Sequence, residues 1–226
     1  MLKNRASRSA LMEACQAMAR SSNLTPGRSG NLSARASDGE GFVITPSGIA
    51  FDRMDAEDMV DMRMDGSALP GSDRPSSKAK LHLAIYRARP DVGGIVVCQS
   101  TFATALSCAE VPIPAFHYMV AIGGGSNIRC APYGFYEDDA FLAGIVGSLK
   151  DRRCCLVAHH GQVATGPTLD EAFELAREFE NLCSQFWHTL LLGAPKLLSD
   201  AQMTRVLENF GRNKPREQTL LRKQFD

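Results

Sequence analysis

Ile95-Val96-Val97-Cys98-Gln99-Ser100 is the stretch on which the fold of this chain depends. Its first four residues are apolar and rich in β-branched side chains, a composition typical of a buried strand. Because side chains alternate along a strand, Val97 and Gln99 share one face and Cys98 points to the other. The end of the strand therefore presents one aliphatic and one amide side chain on the same side of a sheet.

Six short motifs lie on either side of this strand. Along the chain they are Ser29-Gly30-Asn31-Leu32-Ser33, Ile44-Thr45-Pro46-Ser47-Gly48, Pro75-Ser76-Ser77, Phe116-His117-Tyr118-Met119, Cys130-Ala131-Pro132-Tyr133 and Ala158-His159-His160-Gly161. Their order and spacing resemble the class II aldolase/adducin family, from about Ala10 to about Gly211. The resemblance implies one three-layer α/β/α domain over residues 1–226, with a central mixed, largely antiparallel sheet. It also implies a homotetramer with clefts between neighbouring subunits.

Apolar periodicity independently indicates an α/β layered domain, because helical and strand patterns are mixed along the chain. Helices are predicted over 6–20, from Ser76 or Ser77 through Ala88, and over 102–108 and 169–192, the last capped by Thr168 or Asp170. Strands are predicted over 41–45, 59–62, 95–98 and 155–158. The basic tail, 212–226, is either ordered over a cleft or loose.

Composition excludes several classes of function. The chain has 226 residues, 44% of them hydrophobic, with 25 basic and 25 acidic side chains. The zero formal charge and the scattered arginines and lysines give no basis for binding nucleic acid or an anionic membrane. No apolar run approaches the length of a membrane span, and seven cysteines without a secretion signal are expected to be reduced. We expect a cytoplasmic protein.

The metal site implied by the resemblance is where this chain departs from the family. Val97, Gln99 and His160 occupy the positions of three metal-binding histidines, and a catalytic zinc needs about three protein ligands. An aliphatic side chain cannot bind a metal, and a neutral amide oxygen suits hard cations better than zinc. Cys98 points away from the other two positions and cannot substitute. We therefore expect no metal and no zinc cofactor, although the family resemblance implies zinc.

Lys78 is the second departure, because it stands where the family motif Pro-Ser-Ser-Glu places its acid/base carboxylate. A cation there removes the general base and makes a dication less welcome. Lys78 is placed in the first turn of its helix, where the helix dipole disfavours a cation and a bound anion would offset that cost. Three interpretations stay open: a solvated lysine without function, an ammonium in the space of the metal, and a Schiff-base lysine.

The residues that resemble the ligand-binding positions of the family are retained. They are Gly30, Asn31, Ser47, Gly48, Ser76 and Ser77, whose hydroxyl, amide and backbone N–H groups can bind an anion. The same residue types also make turns and helix caps without any ligand. Tyr118 matches a tyrosine that family aldolases use near the aldehyde, often across a subunit boundary, and His160 is the histidine expected to enter the cleft.

The sequence thus predicts a pseudoaldolase that has lost zinc-dependent retro-aldol activity and keeps a cleft for a small anionic or sugar-like ligand. Its catalytic positions, Lys78, Tyr118 and His160, are then vestigial or altered. One alternative is a metal-independent lyase that acts on a small sugar or sugar phosphate through Lys78. Another is a scaffold protein, since adducin heads use this fold without catalysis. Whether the chain is an enzyme is left undecided, with metal-dependent aldolase activity disfavoured.

Overall fold

The computed structural model describes residues 4–24, 29–37, 39–70 and 74–212. The strands are β1 (Asn31–Arg35), β2 (Gly41–Ile44), β3 (Val60–Arg63), β4 (Gly94–Cys98), β5 (Cys130–Ala131), β6 (Cys154–Val157) and β7 (Gly161–Gly166). The helices are α1 (Arg5–Arg20), α2 (Ala79–Ala88), α3 (Thr101–Cys108), α4 (Asp139–Ser148), α5 (Leu169–Leu192) and α6 (Asp200–Arg212). Short 3₁₀ turns cover Phe51–Arg53 and Tyr118–Gly123.

These strands form one mixed sheet in the order β3-β2-β1-β4-β7-β6-β5. Every neighbouring pair is antiparallel except β5 and β6, which are parallel. Side chains of α1, α3, α5 and α6 pack on one face of the sheet, and those of α2 and α4 pack on the other. The three-layer α/β/α architecture predicted from the sequence is therefore confirmed. None of the described helices is both long and apolar enough to cross a bilayer.

Strand β4 lies at the centre of the sheet, between β1 and β7. Val97 belongs to the apolar cluster on the face of α2 and α4, and Cys98 belongs to the cluster on the opposite face. The alternation predicted from the sequence is thus present. Burial raises the pKa of the Cys98 thiol to about 12, so it is not a reactive nucleophile.

Helix α5 fixes the beginning of α3 through a buried carboxylate. Glu180 is only 4% exposed, and its Oε1 and Oε2 accept hydrogen bonds from the backbone N–H groups of Phe102 (2.8 Å) and Ala103 (2.9 Å). Both groups are in the first turn of a helix, where no backbone acceptor is available to them. Glu180 therefore holds the point at which the chain leaves β4 and enters α3.

The periodic segments lie close to their predicted positions, with one correction that concerns the site. The predicted helix beginning at Ser76 or Ser77 begins at Ala79, so Lys78 is the residue before the helix and not part of its first turn. The Ser76 hydroxyl accepts a hydrogen bond from the Lys78 backbone N–H (3.3 Å), which closes a turn ahead of the helix. Helix α5 has the predicted bounds, and the Thr168 hydroxyl caps it by accepting from the Glu171 N–H.

The domain assignment, 1–226, stays a prediction. The predicted tail begins at residue 212, which ends α6, and the rest of it lies outside the described residues.

Candidate active site

A cavity of about 300 Å³ opens where β1 begins and β4 ends. Its wall contains ten sequence-selected positions: Gly30, Asn31, Ser47, Gly48, Ser76, Ser77, Lys78, Val97, Gln99 and His160. Ser29, Pro46, Ile49, Met54, Cys98 and Tyr136 complete the lining. Residues that are up to 130 positions apart in sequence (30 to 160) thus converge on one space. Their roles in binding and catalysis stay predictions.

Two loops form the polar side of the cavity and are held together by backbone hydrogen bonds. Ser47 N–H donates to the Arg74 carbonyl (2.9 Å), and Ser76 N–H donates to the Thr45 carbonyl (3.1 Å). These bonds flank a short antiparallel bridge between Pro46 and Pro75. The serines of both loops therefore line the same space.

A third segment of the cavity wall, the one that leads into β1, requires glycine at position 30. Its φ of +133° lies in the region that favours glycine, and a Cβ there would be 3.1 Å from the Val97 carbonyl oxygen. This close approach leads directly into β1, in which Asn31 pairs with Val97. Glycine thus brings the chain against the end of β4 and places Asn31 on the wall of the cavity.

A buried hydrogen-bond chain lies behind Asn31. The His82 Nε2 atom is 2.6 Å from Asn31 Oδ1, and His82 Nδ1 is 2.6 Å from the Ser33 hydroxyl. The Ser33 hydroxyl is in turn 2.8 Å from the Tyr86 hydroxyl. Complete burial lowers the pKa of His82 to about 3, so this imidazole is neutral at physiological pH. None of the sequence motifs that point to the site includes His82.

Lys78 projects its ammonium group over an aromatic ring at the cavity wall. The Nζ atom lies 3.7 Å from the centroid of the Tyr136 ring, a cation–π contact. Partial burial lowers the pKa of Lys78, and the negative charge of Glu137 opposes that shift. Among the described residues no carboxylate forms an ion pair with Lys78. In the described part of the chain, Lys78 thus has a negative charge in its surroundings, Glu137, but no carboxylate at ion-pair distance.

His160 lies in the turn between β6 and β7 and lines the cavity. Its Nε2 atom is 3.0 Å from the Gly134 carbonyl oxygen, which can only accept, so Nε2 carries the proton. The Nδ1 atom is then the one with a free lone pair. The ring stacks on Tyr133, with centroids 5.5 Å apart. The neighbouring His159 is turned outward, 3.4 Å from Glu110, so only His160 of the pair lines the cavity, as the sequence predicted.

The tyrosine in the cavity wall is not the one that the motifs indicate. Tyr118 is 50% exposed and contacts His117 and Phe210, and it does not line the cavity. Tyr136 was not selected from the sequence, yet it lines the cavity beneath Lys78. The motif that ends at Tyr133 stops three positions before it, and nothing in the local pattern distinguishes Tyr136 from a core aromatic residue.

The donor groups at the expected metal positions do not make a three-ligand zinc site. Val97 is aliphatic and 6% exposed, which leaves the His160 imidazole and the Gln99 amide. In the ranges that the structure describes, no cluster of three or more His, Cys, Asp or Glu side chains could hold a metal ion.

Comparison with known proteins places the chain in a family. The family model for the class II aldolase and adducin N-terminal domain matches residues 9–187. The chain therefore belongs to the class II aldolase and adducin family, as its motifs suggested.

Several members of that family are similar over most of their length. A 5-methylthioribulose-1-phosphate/5-deoxyribulose-1-phosphate aldolase of Rhodospirillum rubrum is 42% identical over 187 residues, 83% of each chain. An L-fuculose phosphate aldolase of Escherichia coli is 36% identical over 201 residues, 88% of this chain and 92% of that protein. The solved structure of an L-fuculose 1-phosphate aldolase has a TM-score of 0.86 at 32% identity, covering 91% of this chain and 96% of that chain.

These similarities correct the predicted function. A chain this similar to proteins named as aldolases is better explained as a genuine aldolase, and the pseudoaldolase prediction is wrong. The prediction rested on the side chains of Val97, Gln99 and Lys78. Three altered positions show which groups have changed, but they do not show that the remaining groups of the cleft cannot support the reaction.

The predicted absence of a zinc cofactor is contradicted for the same reason. Membership of the class II aldolase family, now established, points to a metal cofactor. The sequence argument counted only side chains at three positions, whereas water, substrate oxygens and backbone carbonyls also bind metals. The donor set of this chain nevertheless differs from the three histidines that the family resemblance implies.

Proposed function

We propose that this protein is an aldolase that cleaves a ketose 1-phosphate between C3 and C4. The observation that carries the proposal is the cavity itself, in which neutral anion-binding residues and the cationic Lys78 line one space of about 300 Å³. That volume suits a small sugar phosphate. The names of the similar aldolases support the same substrate class, since their substrates are phosphates of ketoses.

The reaction requires movement of one proton and one bonding pair. The C4 hydroxyl loses its proton, the pair of the breaking C3–C4 bond forms a C2=C3 double bond, and the π pair of the C2 carbonyl moves onto its oxygen. The products are an aldehyde and an enediolate, and the enediolate takes up a proton at C3 to give dihydroxyacetone phosphate. The protein must bind the phosphate, accept the hydroxyl proton and stabilise the negative charge on oxygen.

We assign these tasks to groups that face the cavity. The serine hydroxyls and the Asn31 amide bind the phosphate. The Nδ1 atom of His160 accepts the hydroxyl proton, because its Nε2 proton is held by the Gly134 carbonyl. The Lys78 ammonium stabilises the enediolate oxygen, since a fixed positive charge is most effective where charge develops in a site that excludes water.

Tyr118 fits this scheme only in an assembly. It lies outside the cavity of its own chain and is half-exposed, so it could donate to the aldehyde oxygen only from a neighbouring subunit. We accordingly propose the homotetramer implied by the family resemblance, located in the cytoplasm, where the free cysteines would stay reduced. Light scattering tests the assembly, and a monomeric species at micromolar concentration would contradict it.

The activity is tested by incubating the purified protein with 5-deoxyribulose 1-phosphate and measuring two products with NADH: dihydroxyacetone phosphate, common to all 1-phosphates, with glycerol-3-phosphate dehydrogenase, and acetaldehyde, released from both 5-deoxy sugars, with alcohol dehydrogenase. L-fuculose 1-phosphate and the unphosphorylated 5-deoxyribulose serve as comparison substrates, with zinc supplied in parallel reactions. We expect cleavage of at least one 1-phosphate and none of the free sugar. Failure to cleave any phosphorylated ketose, with or without zinc, would refute the proposal.

The role of Lys78 is tested by Lys78→Met, with Lys80→Met as the matched control. Lys80 is exposed, lies two positions further along the same segment and does not line the cavity. Loss of a group that stabilises the oxyanion typically lowers kcat about 100-fold or more. We expect such a loss for Lys78→Met and no change for Lys80→Met. Equal rates for the two variants would remove Lys78 from the mechanism.

A further inference from the structure

We propose that the buried chain of hydrogen bonds behind β1 fixes the amide of Asn31 with its N–H groups toward the cavity, which makes His82 a positioning residue for phosphate recognition. The inference rests on the proposed function and deepens it. It concerns the orientation of the Asn31 amide: whether the ligand meets its N–H groups or its oxygen.

The direction of the chain follows from its buried end. Tyr86 is 1% exposed, and its hydroxyl has one partner among the described residues, the Ser33 hydroxyl at 2.8 Å. If Tyr86 accepted this bond, its own proton would be buried without an acceptor, which is costly. Tyr86 therefore donates to Ser33. The proton of Ser33 must then go to its other neighbour, the Nδ1 atom of His82, at 2.6 Å.

The tautomer of His82 is set by this donation. A neutral imidazole that accepts at Nδ1 carries its proton at Nε2. The group facing Nε2 at 2.6 Å is the side-chain oxygen of Asn31, which accepts this proton. Burial keeps the pKa of His82 low, at about 3, so the imidazole stays neutral. The Nε2–H tautomer therefore persists across the physiological pH range.

The consequence appears at the cavity wall. The Oδ1 atom of Asn31 is occupied by His82, while no hydrogen bond in the described part of the chain involves its Nδ2 atom. Asn31 is 5% exposed and lines the cavity beside Gly30 and Ser76. The two amide protons are therefore the end of Asn31 available to a phosphate, whereas a reversed amide would present an oxygen and repel it. His82 selects the attractive orientation before the ligand arrives.

Four variants separate positioning from general stability. His82→Leu removes the donor to Asn31, whereas His82→Gln places an amide N–H close to the position of the imidazole Nε2–H. Asn31→Asp keeps the acceptor for His82 but replaces the amide donors with a second oxygen. Tyr86→Phe shortens the buried chain while Ser33 still has only Nδ1 to which it can donate.

Binding of dihydroxyacetone phosphate and of inorganic phosphate to each folded variant is measured by titration calorimetry. We expect His82→Leu and Asn31→Asp to weaken both ligands by about tenfold or more, the effect of losing a hydrogen bond to a charged group. His82→Gln should restore most of the affinity. Tyr86→Phe should lower the melting temperature and weaken binding less than His82→Leu does, because Ser33 still donates to Nδ1 and the donor to Asn31 is kept. The ¹⁵N shifts of the His82 ring should report the Nε2–H tautomer.

Three results would overturn the inference: an Nδ1–H tautomer, unchanged phosphate binding in His82→Leu, or equal losses in His82→Leu and Tyr86→Phe. Absence of phosphate binding by the wild-type protein would also overturn it. If His82→Leu does not fold, the His82→Gln titration and the tautomer decide. Failure of the proposed function is distinguishable, because the wild-type protein would then bind dihydroxyacetone phosphate through an oriented Asn31 and cleave no ketose phosphate.

Discussion

Replacing Glu180 by alanine should destabilise the protein through the beginning of α3. The carboxylate accepts from two backbone N–H groups, of which that of Ala103 is buried and that of Phe102 is partly buried. A buried donor left without a partner costs about 1–3 kcal/mol, and partial solvent access brings the cost toward the lower end. Allowing for the lost interaction with the helix dipole, we expect the free energy of unfolding to fall by about 2–4 kcal/mol.

The measurement is urea denaturation followed by circular dichroism. With a slope of about 2 kcal/mol per molar urea, the midpoint should fall by about 1–2 M. Glu180→Gln keeps one acceptor oxygen, so its free energy of unfolding should fall by roughly half as much as that of Glu180→Ala. Glu178→Ala is the matched control, because Glu178 is exposed on the same helix. If the free energies of unfolding of Glu180→Ala and Glu178→Ala differ by less than about 0.5 kcal/mol, the Glu180 carboxylate does not anchor α3 and the reasoning fails.

The remaining predictions concern acidity, backbone geometry and metal. Burial raises the pKa of Glu180 above its ordinary 4.5, so the folded state takes up this proton first as the pH falls. The stability of the wild-type protein relative to Glu180→Gln should therefore increase from neutral pH toward pH 4.5 in urea titrations, and a decrease would contradict the assigned shift. Gly30→Ala should cost about 1–3 kcal/mol and weaken phosphate binding, because of its positive φ and the nearby Val97 carbonyl. Gly39→Ala, which also has positive φ but no atom within 4 Å of the added Cβ, should cost less and leave binding intact. Family membership predicts that EDTA abolishes cleavage and that added zinc restores it, while full activity after chelation would contradict a metal requirement.

The parts of the fold that could be predicted from the sequence are those with a regular apolar period. Helix α5 matches its predicted bounds because the apolar stripe is continuous from Leu169 to Leu192 and both ends carry signals, a Thr168 cap and Gly193. Strand β4 was recognised because its residues are apolar without exception apart from Gly94. In both elements the local pattern and the tertiary environment require the same residue types.

Strands β1 and β7 were not predicted, because buried polar residues interrupt their apolar pattern. Ser33, Gln162 and Thr165 are at most 1% exposed. Each has a hydrogen-bond partner distant in sequence; Ser33, for example, bonds to His82 49 positions away, although the Gln162 Oε1 atom is buried without a partner among the described residues. Such pairings follow from the fold and leave no local signal. Helix α6 is a different case, since Met203, Val206, Leu207 and Phe210 have helical spacing and could have been recognised.

The candidate site likewise has a part that the sequence motifs indicate and a part that depends on contacts across the fold. Most residues that the motif resemblance grouped together, from Gly30 to His160, line one cavity, whereas Tyr118 does not, and their roles stay predictions. The resemblance did not predict that Tyr136 lies beneath Lys78, nor that His82 holds Asn31, because both depend on contacts across the fold. The functional conclusion failed because altered side chains were taken as lost chemistry, and a list of substitutions contains no information about turnover.

The cavity is built from two sources, and this division has an evolutionary consequence. The loops that carry Ser47 and Ser76 are bonded to each other, whereas Gln99 follows β4 and His160 lies in the turn after β6. Mutations at Gln99 and His160 can therefore change the chemical step while the loops that bind the phosphate keep their structure. Evolution, or a laboratory library randomised at these two positions, can thus produce enzymes that act on different aldehyde ends. Each variant would still bind the same class of phosphorylated molecule.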